Sequence, residues 1–500
     1  MKLGCWICGW IIATACGLVS DGAFARDAIS ESLVKLHVTQ RSPDLVRPWK
    51  KANPASTSGS GVIIDGNRIL TNAHVVIHAS QVFVQADQTT DKVVGKVACI
   101  APDLDLAIVT VEDEAFFENR KPLPLADALP KVKDTVNVYG YPEGGDQLSI
   151  TEGIVSRIEY ARLSYDGAAL RIQVDAALNP GNSGGPAIVD GKIIGLVFSK
   201  VTKADNIGYL IAAEEIKLFL EDVADGKYDG KQDLQSVWLQ TTENEALRTR
   251  LGLGKGEGGL MVREVRKGEK DCPLRPWDVI THIGEHAIDQ QGDVQVRDDL
   301  RLRFSYYITD LAVDGKIPVK VLRDGKTLDM EVPITNQVDR VVPYLGNDYP
   351  RYFIHGPMLF TPVTQELATQ IVGPWEMYMR YFGNPLPSRQ YDRQAFPGEE
   401  LVVLGNRLFP GTVSKGYDPT PLAVVEKIND TPVKNLAHLV ELIRDAEGEY
   451  LIVTLCGRYE LLVFNRQELI DATEEILADE GIRNQYSDDL RDVWEAKKPE

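Results

Sequence analysis

A glycine-rich run at residues 179–186 contains the residue types that acyl transfer requires. It reads Asn-Pro-Gly-Asn-Ser-Gly-Gly-Pro and surrounds one serine, Ser183. A serine nucleophile needs main-chain N–H groups that point at the oxygen on which negative charge develops, and Gly181, which has no Cβ, can turn its N–H toward the same point as that of Ser183. The run therefore predicts an oxyanion hole made by Gly181 and Ser183, with Asn182 as a further candidate donor. Taken alone, the run is also compatible with a simple turn between two strands.

A base and an acid must accompany such a serine, because a hydroxyl of ordinary pKa is a weak nucleophile. Of the seven histidines, only His74 lies in a segment that looks built around it: a predicted strand at 68–70 precedes it and small residues flank it. Asp105 opens an apolar strand, so its carboxylate would lie at the buried entrance of that strand. We predict a catalytic triad of His74, Asp105 and Ser183, with Asp103 as the competing acid.

The order of these three residues along the chain is that of chymotrypsin-like proteases. Residues 59–212 also resemble the protease domain of the HtrA/Deg family, and the region after 340 is similar to the plant-type Deg branch. The resemblance implies two β-barrels with the active site in the cleft between them, His74 and Asp105 coming from the first barrel and Ser183 from the second. The matching blocks are Gly-Ser-Gly-Val at 59–62, Thr-Asn-Ala-His-Val-Val at 71–76, Asp-Leu-Ala-Ile at 105–108, Val-Tyr-Gly-Tyr-Pro at 138–142, Gly-Asn-Ser-Gly-Gly-Pro at 181–186 and Asn-Ile-Gly-Tyr at 206–209.

Two further segments resemble PDZ domains, which capture a peptide as an added strand and bind its terminal carboxylate with loop N–H groups. In the first, Gly258, Gly259, Leu260 and Met261 resemble the carboxylate-binding loop, and we predict peptide binding there. In the second, the segment at 354–360 stands at the corresponding place but has no glycine pair, and its Pro357 has no N–H to donate. An aromatic insert at 375–382 accompanies it. We expect this second segment to provide packing contacts within a homo-oligomer, a trimer or a larger multiple of trimers.

The fold class that follows is mainly β, a chymotrypsin-like double β-barrel followed by two PDZ-like α+β domains. Short strands alternate with turns about every 8–12 residues between residues 60 and 212, as in β-barrels. The predicted strands are 61–64, 81–85, 93–100, 135–139, 150–158, 170–174 and 193–198. The predicted divisions are a signal peptide at 1–25, a trypsin-like serine protease domain at 26–228, PDZ domain 1 at 232–336, PDZ-like domain 2 at 345–465, and a C-terminal helix and tail at 466–500, the tail charged and expected to fray.

The N-terminal segment and the composition indicate the location of the protein and the partners it is expected to lack. Lys2, an apolar stretch at 3–19 and Ala-Phe-Ala at 23–25 predict a cleaved signal peptide, with a periplasmic location if the source is bacterial. A retained N-terminal membrane anchor is the alternative. The net charge of −19 disfavours non-specific nucleic-acid binding, and the three cysteines after the predicted signal peptide, Cys99, Cys272 and Cys456, lie one in each predicted domain and form no C-x-x-C spacing. We predict no metal, no other cofactor and no nucleic-acid partner.

Together these observations predict an ATP-independent serine endopeptidase that hydrolyses unfolded or damaged proteins in protein quality control and binds C-terminal peptides. The alternative is a non-catalytic holdase or scaffold on a protease fold. In chymotrypsin-like folds the floor of the primary specificity pocket lies a short way before the nucleophile, here Ala177 beside Leu178. Because neither residue is charged, we predict cleavage after small to medium aliphatic residues.

Overall fold

The computed structural model describes residues 29–145, 147–162, 167–200, 207–266, 271–336, 338–405, 407–420 and 422–496. The predicted signal peptide at 1–25 lies outside the described residues. None of the helices in the described ranges combines the length and the apolar character needed to span a bilayer.

Six antiparallel strands form a first closed barrel, in the order β1–β2–β3–β6–β5–β4. Alternating residues point into its core, which is filled by branched aliphatic side chains such as Val34, Leu36 and Val109. A single helical turn, α1 (Ala73–Val76), connects the third and fourth strands. The strands are β1 (Leu33–Gln40), β2 (Ala55–Ile64), β3 (Arg68–Thr71), β4 (Ala79–Ala86), β5 (Lys92–Ala101) and β6 (Leu106–Val111).

Six more strands form a second closed barrel, in the order β10–β11–β12–β9–β8–β7, which confirms the predicted pair of barrels. The helix α2 (Ala213–Asp222) follows it and packs Ile216 and Phe219 into the space between the barrels. The strands are β7 (Thr135–Gly140), β8 (Ser149–Arg162), β9 (Ala168–Val174), β10 (Pro186–Val189), β11 (Lys192–Lys200) and β12 (Gly208–Ala212).

The middle unit, residues 232–336, contains a sheet in the order β13–β14–β15–β19–β20, with β16 paired to β15 and a separate ribbon of β17 and β18. The hairpin of β19 and β20 turns at Asp324 and Gly325, whose φ values of 49° and 76° fit the turn type that Asp-Gly favours. The elements are β13 (Val237–Thr241), α3 (Glu245–Leu251), β14 (Leu260–Val265), β15 (Val279–Ile283), β16 (His286–Ala287), β17 (Asp293–Arg297), β18 (Leu300–Arg303), α4 (Ile308–Leu311), β19 (Lys316–Arg323) and β20 (Lys326–Pro333).

The C-terminal unit, residues 338–496, contains two small sheets, β21–β22–β23 and β25–β24–β26–β27, around one apolar core. The segment at 354–360, compared above with a carboxylate loop, forms a buried hairpin that turns at Gly356 and Pro357. The elements are β21 (Phe353–His355), β22 (Met358–Pro362), α5 (Gln365–Phe382), α6 (Leu386–Arg389), β23 (Val402–Leu404), β24 (Val425–Ile428), β25 (Thr431–Pro432), α7 (Leu436–Arg444), β26 (Tyr450–Leu455), β27 (Leu462–Asn465), α8 (Arg466–Asp479) and α9 (Arg491–Glu495).

The end of the chain belongs to this core, so the predicted boundary after residue 465 divides it. Asn465 caps α8, the predicted C-terminal helix, by accepting hydrogen bonds from the N–H groups of the first turn, and Leu469 on that helix is fully buried. The expected fraying of the tail is not observed up to Ala496, because Leu490 is buried and Trp494 packs against Phe353 at 5.0 Å between ring centroids.

Candidate active site

The base and the acid of the predicted triad are in direct contact. His74 lies in α1, shortly after β3, and Asp105 lies directly before β6. Because β3 pairs with β6, the end of one strand and the start of the other are neighbours. Nδ1 of His74 lies 2.7 Å and 3.0 Å from the two carboxylate oxygens of Asp105, and the backbone N–H of His74 donates to the same carboxylate at 2.9 Å. This arrangement leaves Nε2 of the imidazole for the proton of a serine hydroxyl.

Two amide side chains support this pair, and sequence analysis missed both. Asn72 donates from Nδ2 to the main-chain oxygen of Asp105 at 2.9 Å, and Gln40 donates from Nε2 to the carbonyl oxygens of His74 and Val75 at 2.9 Å and 3.1 Å. Asp105 has a φ of 57°, a left-handed conformation that is costly for a residue other than glycine. The hydrogen bond from Asn72 therefore stabilises a strained acid at the position that the histidine requires.

The competing acid, Asp103, is directed elsewhere. Its Oδ2 accepts a hydrogen bond from the Tyr228 hydroxyl at 2.8 Å. Burial raises the pKa of Asp103, although the hydrogen bond from Tyr228 acts in the opposite direction. Asp103 thus interacts with the segment that follows α2, and Asp105 alone of the two carboxylates contacts the histidine.

The nucleophile lies after a tight turn that the glycine-rich run encodes. The N–H of Asn182 donates to the carbonyl oxygen of Asn179 at 3.0 Å, and Gly181 has a φ of 95°. Proline at the second position and a glycine of positive φ at the third are typical of a type II turn. Since the N–H of Asn182 is committed to this turn, Asn182 is removed from the predicted oxyanion hole.

The N–H of Gly181 is oriented through its own peptide group. The carbonyl oxygen of Pro180 accepts a hydrogen bond from the N–H of Glu143 at 2.8 Å. In a trans peptide the N–H points opposite to the carbonyl, so this bond directs the N–H of Gly181 away from Glu143. A Cβ on residue 181 would clash with backbone atoms of Tyr141, Pro142 and Glu143, and therefore only glycine fits this position.

The N–H of Ser183 is oriented in the same way. The carbonyl oxygen of Asn182 accepts a hydrogen bond from the N–H of Gly185 at 2.9 Å, which turns the N–H of Ser183 in the opposite direction. Within the part of the chain that the structure describes, neither the N–H of Gly181 nor that of Ser183 has a main-chain acceptor. Two oriented and unused donors next to a serine are what an oxyanion hole consists of.

The serine turn and the histidine helix meet at Gly59. A Cβ at that position would lie 2.7 Å from a methyl group of Val75 and 3.3 Å from the carbonyl oxygen of Ser183. Among the described residues, no hydrogen bond links the Ser183 hydroxyl to the imidazole of His74. Catalytic hydrogen bonds are often long without substrate and shorten on binding. Gly59 of the first barrel thus lies between the serine turn and the histidine helix and allows the two to approach each other.

The two residues predicted for the specificity pocket have different surroundings. Ala177 is exposed, and its carbonyl oxygen accepts a hydrogen bond from the Thr151 hydroxyl at 3.1 Å. Leu178 is only 9% exposed and belongs to the core of the second barrel, where it packs against Gly208 and Val174. Leu178 is therefore a core residue, and Ala177 is the one that remains available to a substrate.

The predicted carboxylate loop of the middle unit packs closely against the segment at Asp289. The N–H of Gly259 donates to the carbonyl oxygen of Asp289 at 3.0 Å, and a Cβ on Gly258 would clash with the backbone of Asp289. Leu260 and Met261 lie in β14, which is paired on both edges, with β13 and with β15. A peptide strand cannot add to a strand that has no free edge, so the structure does not favour strand addition next to Gly258–Met261, and peptide binding at these residues stays a prediction.

The free edge on this side of the sheet belongs to β13, which is the first strand in the sheet order. A cavity of about 740 Å³ lies along it. The lining of the cavity combines apolar side chains with a rim of arginines. The cavity extends to β8 and β9 of the second barrel. The apolar residues are Leu234, Val237, Leu239, Leu260 and Phe304, and the arginines are Arg266, Arg303 and Arg340.

Two family models match the chain, one for a trypsin-like peptidase domain over residues 59–196 and one for a PDZ domain over residues 341–489. With the two closed barrels, the first match defines the protein as a trypsin-like serine endopeptidase. Two curated relatives from Arabidopsis thaliana then give the family. "Protease Do-like 2, chloroplastic" is 34% identical over 483 residues, which cover 95% of this chain and 78% of the relative. "Protease Do-like 4, mitochondrial" is 34% identical over 461 residues, which cover 90% of this chain and 84% of the relative. The chain belongs to the HtrA/Deg family of serine proteases, which confirms the resemblance stated above.

Among solved structures, "HtrA-type protease AlgW with tripeptide" aligns with 63% of this chain and 97% of that chain, at 24% identity and a TM-score of 0.49.

Proposed function

We propose that this endopeptidase cleaves polypeptides through a triad of His74, Asp105 and Ser183. The observation that carries the proposal is the contact of His74 Nδ1 with the Asp105 carboxylate beside a serine turn that keeps two N–H groups unused. His74 takes the hydroxyl proton as Ser183 attacks the scissile carbonyl and later returns it to the leaving amine. Asp105 fixes the tautomer and stabilises the imidazolium. The N–H groups of Gly181 and Ser183 bind the oxyanion.

The test is hydrolysis of casein without nucleotide, together with labelling by a serine-directed phosphonate. We expect digestion, loss of activity on labelling, and the label on Ser183 by mass spectrometry. Ser183→Ala should lower turnover about a million-fold, because the members of a triad act as a unit. Folded protein that suppresses aggregation of an unfolded client but neither cuts casein nor takes the label would instead establish the holdase alternative.

The substrates we propose are unfolded or damaged polypeptides, as expected for protein quality control. A peptide in the cleft must be extended to lie between the barrels, and unfolded chains present such segments. Exposed Ala177, with no carboxylate beside it, favours small to medium aliphatic residues before the cut. Cleavage-site profiling of a digested proteome tests this preference, and a profile dominated by lysine and arginine would contradict it.

We propose that C-terminal peptides bind along β13 and not at Gly258–Met261. Support comes from the free edge of β13, from the apolar lining that Leu239 and Phe304 contribute, and from the arginine rim, which suits a carboxylate. The same cavity is bordered by Tyr160 of the second barrel and Arg340 of the C-terminal unit. A peptide bound there would contact all three parts of the chain.

We also propose that the C-terminal unit provides contacts within a homo-oligomer. The predicted aromatic insert forms the last two turns of α5, and a group of its side chains, here called the α5 ridge, faces solvent. A patch of this kind is unusual on a monomer in solution. The exposed fractions are 53% for Trp375, 87% for Met377, 39% for Tyr378 and 69% for Tyr381.

For location, we propose that residues 1–25 are a targeting segment removed on export, to the periplasm if the source is bacterial. The two relatives from Arabidopsis thaliana are named for the chloroplast and the mitochondrion, so targeted transport occurs in the family. N-terminal sequencing of the mature protein tests the proposal. A chain that begins at Arg26 supports it, and one that keeps the apolar stretch favours the membrane anchor.

A further inference from the structure

A buried serine of the first barrel contacts the oxyanion-hole turn at several points. Ser60 lies in β2 and is 1% exposed. Its hydroxyl donates to the carbonyl oxygen of Gly181 at 2.8 Å and accepts from the N–H of Tyr141 at 2.8 Å. Its own N–H donates to the carbonyl oxygen of Ser183 at 2.8 Å, and its carbonyl oxygen accepts from the Thr71 hydroxyl at 2.8 Å. One residue thus binds both residues that carry the oxyanion donors.

These contacts hold the two peptide groups on either side of the one that carries the N–H of Ser183. The peptide between Gly181 and Asn182 is held by Ser60 Oγ, and the peptide between Ser183 and Gly184 is held by Ser60 N–H. The N–H of Ser183 belongs to the peptide between them. With both outer groups held, the middle group can turn only about the ψ of Asn182 and the φ of Ser183, and the hydrogen bond from the N–H of Gly185 to the carbonyl oxygen of Asn182 opposes that turn.

The hydroxyl of Ser60 reaches the other donor by a second route. It accepts a hydrogen bond from the N–H of Tyr141. Two residues later, the N–H of Glu143 donates a hydrogen bond to the carbonyl oxygen of Pro180. That bond orients the N–H of Gly181, as described above. Removal of the hydroxyl would leave the N–H of Tyr141 and the carbonyl oxygen of Gly181 buried and unpaired, which is costly enough to shift both segments.

We propose that Ser60 is a positioning residue of the oxyanion hole, which holds the N–H groups of Gly181 and Ser183 toward the reacting carbonyl from the opposite barrel. This inference rests on the proposed function of the same site. Ser60 does not touch substrate, and its effect passes through the backbone of the serine turn. In the sequence, Ser60 is part of the matching block at 59–62, and nothing there indicates a role for its hydroxyl.

The experiment compares Ser60→Ala with Thr71→Val in the full-length chain. Thr71 is fully buried, and its hydroxyl donates to the carbonyl of Ser60 itself, so Thr71→Val removes a hydroxyl at the same depth without touching Gly181 or Tyr141. For Ser60→Ala we expect kcat to fall by about 10-fold to 100-fold, less than the 10²–10³ that loss of an oxyanion donor costs. KM should stay within about threefold, and Thr71→Val should keep kcat within about threefold.

A second readout separates positioning from a general loss of structure. A peptide boronate binds the serine as a tetrahedral adduct and uses the oxyanion hole, whereas the matching peptide amide binds without it. For Ser60→Ala, the inhibition constant of the boronate should rise by the same factor by which kcat/KM falls, and that of the amide should not change. If Ser60→Ala does not fold, Ser60→Cys, whose thiol is a weaker donor and acceptor, gives the same comparison with a smaller loss.

Three results would overturn the inference while leaving the proposed function intact: an unchanged kcat, a loss equal to that of Thr71→Val, or a change in KM alone. A wild-type chain that neither cleaves casein nor takes the phosphonate on Ser183 overturns the proposed function, and the inference with it.

Discussion

Replacing Asp105 with asparagine should disable the histidine without changing the shape of the site. The carboxylate of Asp105 accepts two hydrogen bonds from His74, one from the backbone N–H at 2.9 Å and one from Nδ1 at 2.7 Å. An amide has one oxygen and one NH₂ group, and the backbone N–H of His74 can only donate, so it selects the oxygen. The NH₂ group then faces Nδ1, which must become an acceptor, and the ring proton moves to Nε2. Such an imidazole cannot take a proton from Ser183.

The expected loss for Asp105→Asn is about 10⁴ in kcat, the size seen when the same change is made in a chymotrypsin-like triad. At about 1.4 kcal/mol for each factor of ten, this corresponds to about 5.5 kcal/mol of lost transition-state stabilisation. KM should change little, because the carboxylate does not contact substrate. Hydrolysis of a fluorogenic peptide at neutral pH measures both constants, and circular dichroism checks the fold.

The matched control is Asp103→Asn, two residues earlier in the same segment. Asp103 accepts a hydrogen bond from Tyr228, and the amide oxygen of asparagine can accept the same bond. We expect kcat within about threefold of wild type. If Asp103→Asn abolished activity while Asp105→Asn kept it, the assignment of the acid and the tautomer argument would both be refuted.

Three further predictions concern the other units. Leu239→Glu should weaken binding of a fluorescent C-terminal peptide at least tenfold, which corresponds to about 1.4 kcal/mol. The control Thr327→Glu, on the opposite edge strand β20, should not weaken it. The reverse result would place the peptide on β20. Replacement of Met377 and Tyr381 by serine should lower the mass of the particle in solution, and an unchanged mass by light scattering would exclude the α5 ridge from the contact. Burial lowers the pKa of His355 to about 4, against an ordinary value of 6.5. Between these two pH values the unfolded state binds more protons than the folded state, so the free energy of unfolding falls as the pH falls from 6.5 toward 4. The loss should reach about 3 kcal/mol in urea titrations, and His355→Phe should remove it; equal pH dependence of both proteins would contradict the burial argument.

Much of the protease fold follows from local sequence because its signals are local. Short strands separated by turns about every 8–12 residues were predicted in both barrels, and each of the seven predicted ranges lies inside an observed strand. The residues of the proposed triad could also be selected from the sequence, since each lies at the end of an element: His74 after β3, Asp105 before β6, and Ser183 after a turn that needs glycine. Pairing of β3 with β6 then brings the base and the acid together.

The supporting residues could not be predicted in this way, because their roles depend on partners far along the chain. Ser60 acts on Gly181, which is 121 residues away, and Gln40 on the carbonyl of His74, 34 residues away. A serine in a strand and a glutamine at a strand end carry no signal of these contacts. The buried position of Leu178 has the same origin, since it depends on Gly208 from another strand.

The two glycine runs differ in whether the fold leaves their N–H groups available. Gly181 and Gly259 both have positive φ, 95° and 135°, and both approach other backbone too closely for a side chain. The steric requirement that selects glycine is therefore the same in the two runs. The difference lies in the hydrogen bonds: the N–H of Gly259 is used by Asp289, whereas the N–H of Gly181 has no main-chain acceptor among the described residues. Whether a donor is free is set by the strand or loop that packs against it, and a glycine run becomes an anion site only where the fold leaves its N–H groups without a partner.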